Sequence, residues 1–355
     1  MESRYIRQIQ LSEIGIEGQA KLNQSKVLVV GAGGLGCPVL VYLANAGVGI
    51  LGICDSDLIE ESNLARQILY TINDIGKNKA KCAAKKIKTF NPSIQINVHP
   101  YSLNHKNALE IVKDYDIIVD GTDNFSTRYL INDSCILKNK PMVYGGLFKF
   151  EGQISVFNYN SGPSYRCLFP NPPKIREVPN CNETGVLNIT PGIIGMYQAT
   201  EVLKIILNIG TPLSGKLLLI NLLTQNHLIW DFKINKREIK RVQKNMSPLL
   251  SSIQDCILDF EISLKELNEK VPIHWIDVRE KEEKPRLNFS KITELPLEKI
   301  SSFDFLTKDK SKKIIFCQTG ARSKKALIKM KKQGIDNCYC LKEGAIELKT
   351  WGKLK

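Results

Sequence analysis

Gly31, Gly33 and Gly36 in the run GAGGLG carry the spacing G-x-G-x-x-G, directly after KVLVV and directly before LGCPVLVYLANAG. Backbone N–H groups at the start of a helix favour phosphate, and glycines let the chain approach it closely. Asp55 closes the next apolar run, where a carboxylate can hold ribose hydroxyls. Taken alone, these residues favour a nicotinamide-dependent oxidoreductase. The residues that follow reverse that preference, because they add positive charge and polar groups suited to a triphosphate. Asn63, Arg66 and Gln67 come within DSDLIEESNLARQ, then Lys79, and TDNFSTR supplies Asp123, Asn124 and Arg128. Arg66 or Lys79 by itself would read as half of a surface ion pair. The set as a whole does not fit that reading.

The elements that must position these groups alternate. KVLVVGAG, ILGICDSD, INVHPYSL and DYDIIVDGTDN read as strands, and LGCPVLVYLANAG and KNKAKCAAKKIKTFN as helices. Strands separated by helices predict a doubly wound, Rossmann-like parallel sheet, which binds ligands at the carboxyl ends of its strands. Val27–Cys54 runs without a charge for longer than a bilayer crossing needs, yet its glycines and Pro38 punctuate it as strand, turn, helix and strand. Further strands are expected at 151–158 and within 216–233, with a helix over 192–207 between them. From about Ile234 to Asp255 the chain turns basic and polar with no clear periodicity, which predicts a domain of residues 1–240, a linker over 241–255 and a second domain over 256–355. In the latter, SLKELNEK, IHWIDV, KIIFCQ, SKKALIKMKKQ and NCYCL restart a small α/β pattern.

A chain of 355 residues that is 43% hydrophobic and 24% charged has room for two cores and is too apolar for general disorder. The net charge of +14 is spread over helical lysine clusters without aromatic interleaving or zinc-finger spacing, so nucleic acid is not an expected partner. MESRYIRQIQ offers no secretory signal, and the ten cysteines include no C-x-x-C pair, so a cytoplasmic protein with reduced thiols is expected. Cys338 and Cys340 would share one face of a strand and be buried there.

Through RYIRQI at 4–9, GAGGLG, Asp55-x-Asp57, SNLARQ, GKNKA, TDNF, EGQISVF and CLFP, residues 1 to 233 resemble the ThiF/MoeB/HesA superfamily, whose members activate ubiquitin-like proteins. The resemblance implies ATP bound by Gly31, Gly33, Gly34, Gly36 and Asp55, with Asp57, Ser62, Asn63, Arg66, Gln67, Lys79 and Asn124 around it. It implies Mg²⁺ on Asp123 and an Arg7 that reaches the phosphates of the neighbouring subunit in a homodimer formed by the N-terminal domain. The chemistry agrees: when a carboxylate attacks the α-phosphorus, charge spreads over oxygens and pyrophosphate must leave. The implied product is an acyl-adenylate on the C-terminus of a ubiquitin-fold sulfur carrier ending in Gly-Gly.

Cys181, in PNCNETGVLNITPGIIG, resembles the reactive cysteine of the two-domain members. Many relatives also hold structural zinc with two C-x-x-C pairs. Here Ser164-Tyr165-Arg166-Cys167 replaces the first pair and the second is missing, so no structural zinc is expected. The C-terminal domain resembles a rhodanese through WIDVRE (275–280), CQTGARS (317–323) and LKEGAIELKTW (341–351), although NFSKITELPL replaces the usual H-I-P-G-A segment. Four residues separate Cys317 from Arg322, a tighter ring than the five of tyrosine phosphatases and one suited to a persulfide. Backbone N–H groups from Gln318 to Ser323 would stabilise the anion.

Together these features resemble the molybdopterin-synthase adenylyltransferase/sulfurtransferases, with thiamine and tRNA-thiolation pathways nearly as consistent. MgATP would adenylate the carrier, a persulfide donor would load Cys317, and sulfur would pass to the carrier as a thiocarboxylate, with Cys181 resolving a disulfide intermediate. An NAD(P)-dependent oxidoreductase or a non-catalytic adaptor for ubiquitin-like proteins is the alternative. No membrane association is expected.

Overall fold

The computed structural model describes residues 2–173, 185–244, 260–264, 267, 273–289, 291–302, 311–332, 335 and 337–353. The chain divides into two units, Met1–Leu250 and Ser251–Lys355. Cys181 lies outside the described residues, as does most of SLKELNEK. Among the described residues no helix is long and apolar enough to cross a membrane.

The first unit is built on strands β1 (Lys26–Val30), β2 (Ile50–Cys54), β3 (Gln95–His99), β4 (Ile117–Asp120), β5 (Met142–Phe148), β6 (Glu151–Phe157), β7 (Lys216–Asn221) and β8 (Asn226–Asp231). They form one sheet in the order β3-β2-β1-β4-β5-β6-β7-β8. β1 is flanked by β2 and β4, both parallel, with Val29 level with Ile53 and Val119. Val27 to Val30 are all buried, which is why KVLVV shows no apolar–polar alternation. The strand order reverses between β1 and β4, and the crevice outside their carboxyl ends is where such sheets take ligands.

The expected parallel sheet holds only as far as β5, because β5 to β8 run antiparallel. Two residues, Lys149 and Phe150, join β5 to β6, far fewer than a parallel crossover requires. The helix expected over 192–207 is Ile189–Leu207. Pro191 falls in its first turn, where a missing N–H costs nothing. The basic stretch read as aperiodic contains the helix Lys236–Lys244, which packs on the helices Phe125–Lys138 and Tyr165–Leu168. Its buried stripe is only Glu238 and Val242, too narrow to stand out among lysines and arginines.

The second unit holds a five-stranded sheet in the order β11-β10-β12-β13-β9, made of β9 (Glu261–Ile262), β10 (Ile273–Asp277), β11 (Ile292–Glu294), β12 (Lys312–Phe316) and β13 (Cys338–Leu341). Its neighbouring strands pair in parallel. β9 and β11 were not expected, since two and three residues leave no readable pattern. Cys338 and Cys340 are both fully buried in the core with Ile276, Ile315 and Met330.

Candidate active site

The glycine loop is shaped by how closely it meets its own chain. A Cβ on Gly36 would lie 1.9 Å from the Gly31 carbonyl oxygen, and one on Gly31, at φ +93°, would lie 2.6 Å from the Gly121 carbonyl oxygen. One on Gly34 would lie 2.9 Å from Pro191 Cβ. Gly33 differs, because a Cβ there would meet only Gln67 Nε2, at 3.7 Å. Three of the glycines are therefore required by packing, and the fourth faces open space at the head of the helix Gly36–Ala46. Gln67 is buried, and its Oε1 has no protein partner. A buried polar group without a protein partner, beside an open backbone cradle, fits a bound ligand with polar groups of its own.

Asp55 ties this loop to the end of β2. Its Oδ2 accepts the Ala32 N–H at 2.7 Å and its Oδ1 the Asp57 N–H at 2.8 Å. Burial pushes the carboxyl up from its ordinary range, and the two amide bonds oppose that. A carboxylate has about four acceptor positions, so ribose hydroxyls still have lone pairs to use. Tyr70 Oη donates to the Ala32 carbonyl at 2.7 Å and closes the loop from below. The buried Lys79 places Nζ 3.0 Å from Asp57 Oδ2. Asn63 is buried in the turn Glu61–Asn63, where its Nδ2 donates to Ser62 Oγ, and Arg66 Nη1 donates to the Ser62 carbonyl at 2.9 Å.

Asp123 follows the carboxyl end of β4 and is exposed, two residues from the Gly121 backbone that Gly31 touches. Asn124 is also exposed, but its Oδ1 accepts the Thr127 N–H at 2.9 Å and so caps the helix Phe125–Lys138. Arg128 does not belong with the phosphate-facing cations. It is buried, with Nε 2.8 Å from Asp120 Oδ2 and Nη2 3.0 Å from the Thr122 carbonyl. Asp120 and Gln198, whose Nε2 donates to the Asp120 carbonyl at 2.8 Å, were not anticipated. An aspartate ending a buried apolar strand needs a partner, and that was the available signal.

Within one chain Arg7 stands apart from these groups. It is exposed on the helix Glu2–Ile9, whose Gln8 Nε2 donates to the Ala46 carbonyl at 3.2 Å. That is the far end of the 11-residue helix that starts at the glycine loop, about 16 Å away at the usual helical rise.

The corner where relatives' zinc motif would begin is held by polar contacts. Cys167 Sγ accepts the Ser164 N–H at 3.3 Å and the Asn235 N–H at 3.2 Å. Arg166 and Asp133 form a buried two-pronged pair at 2.6 and 2.7 Å. Tyr165 N–H donates to Asn132 Oδ1 at 2.8 Å. Among the described residues no three His, Cys, Asp or Glu gather to hold a metal, and this corner offers a single thiol.

In the second unit Cys317 follows β12 and is buried, its thiol 3.7 Å from Ser323 Oγ, which itself donates to the Gly320 carbonyl at 2.8 Å. Gly320 takes φ +80°, which turns the loop into the helix Ala321–Lys332. Gly344 must lack a Cβ, which would lie 2.2 Å from the Gln318 carbonyl oxygen. The fully buried Arg279 joins Asp277 to the loop, donating to Asp277 Oδ2 at 2.7 Å and to Gln318 Oε1 at 3.1 Å. Arg322 is not an open anion site, for both its Nη atoms bond Glu283 at 2.5 Å. Glu283 was not singled out in the sequence, where it is one of several charges in REKEEKPR.

The ThiF family pattern matches residues 5–242. A sulfur carrier protein adenylyltransferase of Thermus thermophilus is 49% identical over 221 residues, covering 61% of this chain and 82% of that protein. A probable adenylyltransferase/sulfurtransferase MoeZ of Mycobacterium tuberculosis is 36% identical over 367 residues, covering 99% of this chain and 93% of that protein. Mosquito proteins named adenylyltransferase and sulfurtransferase MOCS3 are matched over 50% of their length. A crystal structure of E. coli MccB with MccA-N7isoASN superposes with a TM-score of 0.57 at 25% identity, covering 66% of this chain and 73% of that one.

Proposed function

Because the chain belongs to the ThiF family, we propose that it is a sulfur-carrier-protein adenylyltransferase that also transfers sulfur. The carrier would be a ubiquitin-fold protein ending in Gly-Gly, and the setting the cytoplasm. The observation that carries the first activity is the open Gly33 backbone beside the buried, unpartnered Gln67 Oε1, at the point where the strand order reverses. Likeness to an adenylyltransferase/sulfurtransferase over nearly the full chain supports the second.

In this reading the glycine-loop amides take phosphate oxygens and Asp55 takes the ribose. Arg66 and Lys79 meet the charge that develops as the carrier's terminal carboxylate attacks the α-phosphorus. Lys79 would exchange its Asp57 partner for a phosphate oxygen. Asp57, Ser62, Asn63, Gln67 and Asn124 shape the surroundings of those groups. Arg7 is too far from its own chain's glycine loop and would serve the site of a second subunit in a homodimer. Asp123, exposed and beside the loop, suits Mg²⁺, which is normally held by one or two carboxylates together with substrate phosphates and water. Bound there, the ion would neutralise charge on the departing pyrophosphate.

Cys317 would take sulfur from a persulfide donor. Its terminal sulfur then attacks the acyl-adenylate, AMP leaves, and the carrier is held as an acyl disulfide. Cys181 would release the thiocarboxylate by way of a disulfide intermediate, which a thiol reductant resets.

ATP–pyrophosphate exchange, with and without a candidate carrier, tests the first half. Exchange that the carrier stimulates and Asp123→Ala abolishes supports adenylation. Binding of NAD(P)H without exchange would instead make the chain an oxidoreductase, and carrier binding unaffected by Asp123→Ala without exchange would make it an adaptor.

A further inference from the structure

Every arginine side chain described around the Cys317 loop is already committed to a carboxylate of the same unit. Arg279 is bound to Asp277, Arg286 lies 3.2 Å from Asp277 and 3.5 Å from Glu294, and Arg322 holds both oxygens of Glu283. Arg322 is the one of the three carried by the helix that the Cys317 loop leads into. A guanidinium whose two Nη atoms face a carboxylate has spent the fork that would receive an oxyanion. Hydrogen bonding from Arg322 holds the Glu283 carboxyl down at about 2, so it remains charged near neutrality. Glu280 and Glu282 are exposed on the same segment and are balanced by the exposed Lys281 and Lys284, so the charge that matters is the one on Glu283.

We propose that Glu283 is a specificity-determining residue of the Cys317 site: by occupying Arg322 it disfavours small dianionic sulfur donors and leaves the site to less charged persulfides. The proposal rests on the sulfurtransferase reading above. With thiosulfate, the Cys317 thiolate would attack the outer sulfur, the S–S bond of thiosulfate would break, and sulfite would leave with the electron pair. The donor carries two negative charges into a site whose loop-helix guanidinium is already paired with Glu283, and uncompensated like charge lowers productive encounter. A persulfide bearing one net charge is penalised less.

The test loads the full-length protein with sulfur from thiosulfate and, separately, from cysteine persulfide, following the Cys317 peptide by mass spectrometry. Glu283→Gln should raise the thiosulfate rate relative to the cysteine persulfide rate by at least about threefold, chiefly through a lower thiosulfate KM. Adding Arg322→Gln should cancel that gain, because the gain runs through the freed guanidinium. Glu283→Ala provides a second variant should Gln retain the contact. A rate ratio unchanged in both Glu283 variants, or a gain that survives loss of Arg322, overturns the assignment. If neither donor loads Cys317 in wild type or variants, the sulfurtransferase reading falls and the proposal with it; loading by cysteine persulfide with an unmoved ratio defeats the specificity claim alone.

Discussion

Asp120 and Arg128 meet in the interior at the head of β4, with Nε 2.8 Å from Oδ2, and together they fix the loop that carries Asp123. Asp120 also accepts the Thr122 N–H at 3.0 Å, so the carboxylate orders the chain one residue before Asp123. Removing one member leaves the other charge buried without a partner. Asp120→Ala should cost about 3–5 kcal/mol of stability, read as a shift of the urea midpoint at constant slope. A loss below about 1 kcal/mol would mean that water reaches Arg128.

Gly33 and Gly36 should respond in opposite ways to the same substitution. Gly33→Ala has room in the fold and places a methyl group where phosphate would approach, so KM for ATP should rise about tenfold or more, equivalent to about 1.4 kcal/mol, with Tm nearly unchanged. Gly36→Ala drives a Cβ into the Gly31 carbonyl and should lower Tm sharply. Isothermal titration with ATP beside thermal melts separates the two outcomes.

The corner around Cys167 should be indifferent to chelators and sensitive to its ion pair. Prolonged EDTA treatment should leave Tm unchanged. Asp133→Ala should cost about 3–5 kcal/mol, because Arg166 is buried against it. A Tm that falls on chelation would point to a metal there.

The Glu283–Arg322 pair should matter only above acid pH. Because the folded-state pKa of Glu283 is depressed, to about 2, its stabilisation is fully present above the ordinary carboxylate range and is lost as pH falls toward 2. The pair is about one-third exposed on the Arg322 side, so solvent screening limits it to roughly 1 kcal/mol or less. Unfolding free energies of wild type and Glu283→Gln should differ by that amount at pH 7 and converge near pH 2.

The order of elements, the glycine loop and Asp55 were legible because local rules govern them: a buried parallel strand is uniformly apolar, and a tight turn into a helix demands glycine. Which glycine leaves its backbone open was not legible, since Gly31, Gly34 and Gly36 look like Gly33 in one dimension; Gly121 and Pro191, distant in the chain, set Gly31 and Gly34 apart, and the folded turn sets Gly36 against the Gly31 carbonyl. The partners of the charges were hidden for a related reason. Arg128 and Arg322 carry the same side chain as Arg66, yet one is buried against Asp120 and the other is held by Glu283, 39 positions earlier. Residue type and spacing determined what chemistry this chain can attempt. Tertiary folding decided which of its charges are free to attempt it, because a charge spends itself on whatever counter-charge the fold brings within reach.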